Sequence, residues 1–253
     1  MLIKIYNEDC RTTMQRMMEN NQKIDYIITS PPYNTRRSDY KRYDGYDDRL
    51  SNDEYIDFTI ELFNYFDKIL NENGCILYNM NYGAMNLDLM WLVIAKIIEK
   101  TPFMICDDII WKKSNAMPNN SSKNKLTRIV EHVFVICRKS EVLTFNTNRK
   151  HFKLSKKGQK VYHPIYNWIE APNNDGSNPI NKATYSTELV TKLMEIYVPQ
   201  QSIVYDPFMG TGTTANACKL SNRDCIGSEI SKDQCEYAYE RLDIKQKGLN
   251  EFG

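Results

Sequence analysis

The sequence predicts an α/β fold, a three-layer sandwich in which helices cover both faces of a mixed, mostly parallel sheet. Two observations lead to this prediction. Strand and helix patterns alternate along the chain, as they do in repeated βα units. Several strands, such as the one at 25–29, are nearly continuous apolar runs, which is typical of parallel strands buried on both faces. At 253 residues, the chain has the length of one α/β domain with a sizeable core.

The first half of the chain ends with two successive strands after alternating βα units. A capping signal at Ser51 or Asn52, followed by apolar residues at helical spacing, predicts its longest helix. Residues 34–50 are polar and aromatic without a period, so they are predicted to form a long loop. In order, we predict a strand at 2–6, a helix at 12–19, a strand at 25–29, the loop, a helix at 51–70, a strand at 74–80, a helix at 84–99, and strands at 103–111 and 130–138.

The second half begins with a stretch of little periodicity. Residues 140–180 contain several Asn, Gly and Pro residues and are predicted to form an irregular insertion into a single domain that spans 1–253. The alternation then resumes. In order, we predict a helix at 186–198, a strand at 202–206, a glycine loop, a helix at 214–220, a strand at 223–230 and a helix at 232–243.

Composition argues against a secreted protein, a membrane-spanning protein and a protein with a cysteine-based metal site. The first ten residues have no extended apolar stretch and no small-residue cleavage site, so we predict no secretion signal. The most apolar run, at 87–98, is interrupted by Asp88 and Lys96 and is too short to span a bilayer. Seven cysteines occur without a C-x-x-C pair or a Cys/His cluster. They indicate reduced thiols in a cytoplasmic protein, and no metal site is predicted.

The charge is unevenly distributed. Residues 111–160 carry thirteen basic and two acidic residues, a net charge of +11, whereas the rest of the chain carries twenty basic and thirty acidic residues, a net charge of −10. A segregated basic block is what a polyanion-binding face needs. A solvated, lysine-rich surface is the alternative interpretation.

The glycine loop "IVYDPFMGTGTTANAC", residues 203–218, has the features of a nucleotide site. A strand ends at Asp206, Gly210 and Gly212 follow, and a helix begins at Thr213 or Thr214. Glycines allow a ligand to approach the backbone, and a helix N-terminus offers free N–H groups. The Lys-Ser/Thr pair of a phosphate-binding Walker loop is absent. Glu229, at the tip of the next strand, suits hydrogen bonding to ribose hydroxyls.

The segment "TSPPY", residues 29–33, is the rarer signal. Pro31 and Pro32 fix two φ angles and remove two N–H donors directly after a buried strand. The carbonyls of Ser30 and Pro31 are then available as acceptors, and Tyr33 supplies a ring on which a base can stack. The alternative interpretation is a stiff corner with a packed tyrosine.

"TSPPY" and "DPFMGTGTT" together resemble the amino-methylating DNA methyltransferases that use S-adenosylmethionine. The four residues S-P-P-Y at 30–33, which we call the tetrad, precede the glycine loop, as in the permuted β group of that family. The resemblance therefore implies a Rossmann-like methyltransferase fold in permuted order. It implies that the tetrad holds an exocyclic amine and that the loop holds the cofactor. The implied catalytic residues are Ser30, Pro31, Pro32 and Tyr33, and the implied cofactor-binding residues of the loop are Asp206, Phe208, Gly210, Gly212 and Thr213.

Three further segments bear on the resemblance. "NEDC" is similar to the family's G-D-C segment, which implies that Asp9 helps to seat the adenine of the cofactor. "IIWKKSNAMP" and "EHVFVICRK" are like the family's later strands. "NKATYSTEL", residues 181–189, is the best fit to the family's H-P-A-x-F-P-x-x-L segment, which covers the methionine end of the cofactor. Asn181, Lys182 and Ser186 stand where that pattern has a histidine and two prolines, and the position of the segment implies that Asn181 and Lys182 are cofactor-binding residues.

The implied reaction is methylation of an exocyclic amine in a base flipped out of duplex DNA. Within the family, S-P-P-Y/F tetrads are associated mainly with the N4 amine of cytosine and D-P-P-Y/F with the N6 amine of adenine. Ser30 therefore favours cytosine, as does the A-x-Y pattern at 183–185, and N6-adenine methylation by the same mechanism is the alternative. An RNA amine methyltransferase and a non-catalytic protein that binds DNA or cofactor remain as rivals.

Double-stranded DNA is the expected partner. Its binding is expected to involve the basic block 111–160, the stretch through Trp168 and the loop 34–50, with residues 140–180 as the target-recognition insertion. A restriction endonuclease of the same specificity is a candidate companion. The expected oligomeric state is monomer or homodimer, and no membrane contact is expected.

Overall fold

A computed structural model describes residues 1–34, 49–82, 86–120, 123–176, 180 and 184–244. The strands in this part of the chain are β1 (Ile3–Tyr6), β2 (Ile24–Thr29), β3 (Leu70–Met80), β4 (Phe103–Lys113), β5 (Val130–Arg138), β6 (His151–Leu154), β7 (Lys160–Tyr162), β8 (Trp168–Ala171), β9 (Ile203–Asp206) and β10 (Asp224–Ser228). The α-helices are α1 (Cys10–Glu19), α2 (Asn52–Ile69), α3 (Leu89–Lys100), α4 (Thr187–Tyr197), α5 (Thr213–Leu220) and α6 (Lys232–Leu242), and a short 3-10 helix spans Lys139–Glu141.

Eight of these strands form one sheet in the order β1-β10-β9-β2-β3-β5-β4-β8. All neighbouring pairs are parallel except those of β5, which is antiparallel to both β3 and β4. The predicted mixed, mostly parallel sheet is therefore confirmed. The parallel strands β2, β3, β9 and β10 all end at one edge of the sheet, which we call the carboxyl edge. Antiparallel β5 begins at the same edge.

Helices cover both faces of the sheet, and each face has its own apolar core. On one face the core includes Met14 of α1, Phe63 of α2 and Val93 of α3. On the other it includes Val190 of α4 and Ala215 of α5, together with residues of α6. Burying an aliphatic or aromatic side chain of this size contributes about 1.5–3 kcal/mol. Both faces of the strands are thus apolar because both are buried, as the continuous apolar runs predicted.

Local signals explain where several helices begin. Asp9 caps α1 by accepting a hydrogen bond from the backbone N–H of Arg11, so this helix begins at Cys10, two residues before the predicted start. Ser51 and Glu54 form the reciprocal hydrogen bonds of a capping box at the start of α2, as predicted. The helix predicted at 84–99 begins only at Leu89, and residues 83–85 lie outside the described part of the chain.

The prediction of irregular structure for 140–180 was wrong in part. Strands β6 and β7 form an antiparallel hairpin, and β8 joins the main sheet beside β4. These strands have three or four residues each, and every side chain of β6 is exposed. The hairpin strands are short and largely exposed, so they show no apolar alternation for the sequence pattern to reveal. Strand β8 does alternate, with Ile169 and Ala171 buried, but four residues are too few to predict a strand.

Three further findings concern the cysteines, membrane-spanning helices and metal-binding groups. All seven cysteines are free thiols; six are buried and Cys106 is half-buried. Among the described residues, no helix combines the length and apolar character needed to cross a bilayer. The same part of the chain contains no group of three or more His, Cys, Asp or Glu side chains arranged to hold a metal ion.

Candidate active site

The tetrad and the glycine loop leave the sheet side by side. Ser30 follows β2, the loop follows Asp206 of β9, and these two strands are hydrogen-bonded neighbours. The connections of the sheet run in opposite directions from this pair of strands: β10 and β1 lie beyond β9, and β3 lies beyond β2. Ligands of open α/β sheets bind at such a switch point, outside the carboxyl ends of the strands. The two motifs therefore meet at the position where the fold favours a binding site.

Asp206 links the two motifs by hydrogen bonds, and we call this cluster of hydrogen bonds the joint. Its carboxylate is only 1% exposed. Oδ1 accepts hydrogen bonds from Thr29 Oγ1 at 2.7 Å and from the Phe208 N–H at 3.0 Å. Oδ2 accepts from Thr214 Oγ1 at 2.5 Å and from the Tyr185 hydroxyl at 3.2 Å. Burial raises the pKa of Asp206, and these hydrogen bonds oppose the increase. Four protein donors occupy the carboxylate, so it holds the loop against the tetrad strand; its direct contact with a cofactor stays a prediction.

The two glycines of the loop adopt conformations that other residues rarely adopt. Gly210 has φ of 54° and Gly212 has φ of 83°, both in the left-handed region. Gly212 is also the N-cap of α5, which begins at Thr213, one of the two predicted starts. A Cβ atom at Gly212 would lie 3.0 Å from Cβ of Ala238 in α6. The loop thus needs glycine at Gly212 both for its backbone and for close packing against α6.

Gly212→Ala is expected to lower the free energy of unfolding by about 2–4 kcal/mol, from a strained positive φ and crowding against Ala238. Gly158→Ala is the matched control, because Gly158 also has positive φ (75°) but nothing lies within 4 Å of its added Cβ. Urea denaturation of both variants measures the two effects. If the two variants lose equal stability, Ala238 imposes no packing constraint on the loop.

Glu229 lies directly after β10 and is 8% exposed. Its Oε2 accepts from the Gly210 N–H and its Oε1 from the Ser231 N–H, each at 2.8 Å. Burial raises the pKa of Glu229, and these two backbone hydrogen bonds oppose the increase. The ion pairs of the described residues do not include Glu229. Each oxygen keeps a further lone pair, so this carboxylate fits neutral hydroxyl donors such as those of a ribose.

Asp9 follows β1, and Phe208 lies within the glycine loop. The hydrogen bond from the Arg11 side chain is the main cause of the lowered pKa of Asp9, with Nη2 at 2.7 Å from Oδ2. Arg11 lies over the ring of Phe58 at 5.8 Å, and that ring is 6.2 Å from the ring of Phe208. Phe58 was not predicted from the sequence, where it is an aromatic residue outside the apolar stripe of its helix. The two half-buried rings form an apolar wall beside the loop.

The tetrad is held by hydrogen bonds at two points. The Pro32 carbonyl accepts from the hydroxyl of buried Tyr55 at 2.6 Å. Ser30 Oγ lies 3.1 Å from the Tyr33 hydroxyl oxygen. The Tyr33 hydroxyl also faces Asn79 Oδ1 at 2.9 Å. Burial of its hydroxyl raises the pKa of Tyr33 well above the usual value, while the ring as a whole is half-buried. The prolines remove N–H donors from the corner, so its remaining backbone groups between Ser30 and Tyr33 are acceptors.

Comparisons with known proteins agree with this arrangement. A family model described as DNA methylase, of the N6/N4 methyltransferase type, matches residues 24–240. The chain belongs to this family. It is similar to the type II methyltransferase M.BglII of Bacillus subtilis, with 26% identity over 271 aligned positions that cover 99% of this chain and 72% of the relative. It is also similar to the orphan methyltransferase M.BamHII of Bacillus amyloliquefaciens, with 27% identity over 252 positions that cover 87% of this chain and 88% of the relative.

Solved structures resemble this methylase over nearly its whole length. The M1.HpyAVI structure has a TM-score of 0.65 at 25% identity and covers 96% of this chain and 100% of its own. The M1.HpyAVI–SAM complex has a TM-score of 0.68 at 24% identity, with the same coverage. The PvuII DNA methyltransferase (cytosine-N4-specific) has a TM-score of 0.73 at 16% identity, covering 99% of this chain and 89% of its own, which shows a shared fold. The protein is a DNA methyltransferase of the N6/N4 amino-methyltransferase family, and membership of that family supports the predicted cofactor, S-adenosylmethionine.

Two charged residues near the tetrad of the methylase were not predicted as site residues. Glu131, the second residue of β5, has Oε2 at 3.0 Å from the Tyr33 hydroxyl. Its Oε1 lies 2.5 Å from Nζ of Lys113, the last residue of β4. The only available signal was that Glu131 is one of two acids within the basic block 111–160.

The segment that departs from the family pattern is described only in part. The predicted cofactor contacts Asn181 and Lys182 lie outside the described residues, as does most of the predicted DNA-facing loop 34–50. Ser186, which replaces a family proline, caps α4 by accepting from the Leu189 N–H at 3.3 Å. Tyr185, which matches the aromatic position of the family segment, adds its hydroxyl to the cluster around Asp206. The departure at Ser186 and the match at Tyr185 thus both form hydrogen bonds of their own in the methylase.

Proposed function

We propose that this methylase transfers a methyl group to the N4 amine of cytosine in a base flipped out of duplex DNA. The observation that carries the proposal is that the first tetrad residue is serine, whereas aspartate at this position is associated in this family with the adenine amine. Both amines present two donors, and an ionised aspartate accepts more strongly than a hydroxyl. In this methylase the acceptor at that position is Ser30 Oγ, which is hydrogen-bonded to the Tyr33 hydroxyl, instead of an aspartate carboxylate.

The tetrad prepares the amine for attack. The lone pair of an exocyclic nitrogen is delocalised into the base and is a poor nucleophile. Ser30 Oγ and the Pro31 carbonyl each accept a hydrogen bond from one amine N–H, which favours pyramidal geometry and localises that lone pair. The Pro32 carbonyl already accepts from the Tyr55 hydroxyl, which fixes the backbone at this corner. S-adenosylmethionine supplies the electrophilic methyl group. A cysteine nucleophile is not needed, and the sequence contains no Pro-Cys pair of the kind used for ring-carbon methylation.

Four features of the loop region fit the cofactor. Glu229 accepts from the ribose hydroxyls, and the backbone of Gly210 and Gly212 permits close approach at the start of α5. The rings of Phe58 and Phe208 would offer the adenine an apolar surface. Asp9 holds the Arg11 side chain beside these rings by accepting a hydrogen bond from Arg11 Nη2. Asn181 and Lys182 are proposed to cover the methionine end.

The affinity for S-adenosylmethionine is expected to weaken as the pH falls from neutral into the acid range. Ribose hydroxyls donate to the ionised form of Glu229, so protonation of this group opposes binding. Burial raises the pKa of Glu229 above its ordinary value of 4.5, so the loss begins at a higher pH than for an exposed glutamate. Calorimetric titration of the protein with S-adenosylmethionine at a series of pH values measures this loss of affinity. Glu229→Gln is expected to bind more weakly and to lose this pH dependence; a Gln variant that retains it would assign the effect to another group.

DNA is proposed to bind over the carboxyl edge. The segment 114–129 connects the last residue of β4 to the first residue of β5 at this edge. Lys123 and Lys125 of this segment are exposed. The hairpin of β6 and β7 carries further exposed lysines, and on their charge alone we propose 140–180 as the recognition insertion. The chain leading into the hairpin is hydrogen-bonded at the opposite edge of the sheet, where the Asn146 N–H donates to the Asn73 carbonyl. Phosphate contacts of lysine position a duplex without reading its sequence.

The double variant Lys123→Ala/Lys125→Ala is expected to bind DNA more weakly. Its slope of log affinity against log salt should be smaller by about two, because each lysine that pairs with a phosphate contributes about one to that slope. Binding of S-adenosylmethionine should not change. Lys68→Ala/Lys100→Ala is the matched control, because both lysines are exposed near the ends of α2 and α3, at the opposite edge of the sheet. Fluorescence anisotropy at several salt concentrations distinguishes the two; equal slopes for both double variants would exclude the segment 114–129 from the DNA interface.

Nucleoside analysis tests the choice of base. The protein is incubated with mixed-sequence duplex DNA and labelled cofactor, and the digested nucleosides are separated by mass spectrometry. Label in N4-methyldeoxycytidine is the expected result. Label in N6-methyldeoxyadenosine would overturn the choice of cytosine, and label in 5-methyldeoxycytidine would overturn the mechanism. RNA of the same sequence is the comparison substrate and is expected to remain unlabelled.

We further propose that the methylase acts in the cytoplasm and protects sites cleaved by an endonuclease of the same specificity. The similarity to M.BglII, a type II methyltransferase by name, supports this context. Sequencing of DNA from cells that express the protein identifies the modified site, and endonucleases that cut that site are then tested on the same DNA. Cleavage at fully modified sites would contradict a protective role.

A further inference from the structure

The Tyr33 hydroxyl has one proton and three partners. Asn79 Oδ1 lies 2.9 Å away, Glu131 Oε2 lies 3.0 Å away, and Ser30 Oγ lies 3.1 Å away. A phenolic oxygen donates one hydrogen bond and accepts others. The direction of the bond to Ser30 therefore depends on whether the other two partners can donate.

Neither of them can donate. Asn79 directs its amide Nδ2 to the His132 carbonyl at 3.0 Å and towards Glu131 Oε2 at 3.4 Å, so its oxygen faces Tyr33. Glu131 forms an ion pair with Lys113, with Nζ 2.5 Å from Oε1, and the two side chains are only 11% and 15% exposed. A carboxylate paired in this way is ionised and accepts only. The Tyr33 proton is thus shared between two acceptors, and Ser30 is the remaining donor.

We propose that Glu131, held by Lys113, is a positioning residue that sets the direction of the hydrogen bond between Ser30 and Tyr33. The Ser30 proton goes to Tyr33, so both lone pairs of Ser30 Oγ remain for the substrate amine. Without the carboxylate, the tyrosine proton can turn to Ser30 and occupy one of those lone pairs. This inference rests on the proposed function, because it assigns Ser30 Oγ as the acceptor of an amine proton.

The test measures single-turnover methyl transfer at saturating DNA and cofactor for Glu131→Gln, for Tyr33→Phe and for the two combined. Each single variant is expected to lose about tenfold to a hundredfold in rate, the effect of one charge-assisted hydrogen bond. The binding constants for DNA and S-adenosylmethionine should change little. The double variant should be no slower than Tyr33→Phe, within about twofold, because Glu131 acts through the tyrosine hydroxyl.

Glu99→Gln is the matched control. Lys96 Nζ and Glu99 Oε2 are also 2.5 Å apart, but that pair is 38% and 62% exposed on α3, so its loss should leave the rate unchanged. A purely structural role for Glu131 predicts a lower melting temperature, weaker cofactor binding and effects that multiply in the double variant; that outcome would overturn the proposal.

Ser30→Ala distinguishes failure of this inference from failure of the proposed site. If Ser30→Ala loses turnover and Glu131→Gln does not, only the role of Glu131 is wrong. If Ser30→Ala retains turnover, the amine is held elsewhere, and the assignment of the tetrad as well as the role of Glu131 is wrong.

Discussion

Ser30→Ala is expected to lower the rate of methyl transfer by about 10²–10³-fold, comparable to removing one preorganised group that stabilises a transition state. The variant keeps the prolines, the ring of Tyr33 and the joint at Asp206, so binding of S-adenosylmethionine and the melting temperature should remain close to those of the wild type. The hydroxyl matters most as the amine nitrogen becomes pyramidal, because its protons then become more acidic. The loss should therefore appear in the turnover number rather than in the Michaelis constant for DNA.

Single-turnover kinetics with labelled cofactor measures this effect, and calorimetry measures cofactor binding in the same samples. Ser140→Ala is the control, since Ser140 is exposed in the 3-10 helix after β5, at the opposite edge of the sheet. Equal losses of turnover and cofactor affinity in Ser30→Ala would mean that the serine belongs to the cofactor site instead of the amine site.

The fold was predictable because its main strands are long or fully buried. Strand β2 is buried at five of its six positions, and its apolar run ends at the prolines of the tetrad. Strand β9 ends at Asp206, as predicted from the glycines that follow. The hairpin of β6 and β7 was not predictable, because exposed strands of three or four residues bury too little apolar surface to leave a pattern.

The candidate site was predictable only where it is local in sequence. The tetrad and the glycine loop are continuous motifs, and their chemistry can be inferred from their own residues. Glu131 reaches Tyr33 across 98 positions of the chain, because antiparallel β5 lies beside β3 in a register that pairs Asn79 with Val133. Sequence spacing alone does not specify that register, which depends on how the two cores pack on the sheet.

Asp206 is expected to be the most sensitive single position for stability. Asp206→Ala leaves a buried space facing the hydroxyls of Thr29, Thr214 and Tyr185 and the N–H of Phe208, all of which now donate to the carboxylate. Leaving buried donors unsatisfied costs about 1–3 kcal/mol for each group, and partial rearrangement makes the costs less than additive. We expect the free energy of unfolding to fall by at least about 3 kcal/mol and methyl transfer to be lost.

Urea denaturation and cofactor calorimetry together separate two roles for this carboxylate. Asp224→Ala is the matched control on the neighbouring strand β10; its half-exposed carboxylate accepts from the Leu2 N–H, and its loss should cost about 1 kcal/mol or less. If Asp206→Ala loses cofactor binding but keeps wild-type stability, Asp206 is a direct ligand. If both are lost, cofactor binding depends on the hydrogen bonds that the carboxylate makes to the two motifs. Thr29 directly precedes Ser30 of the tetrad, and Thr214 lies in the first turn of α5. A ligand placed between the tetrad and the loop then requires that joint to be intact.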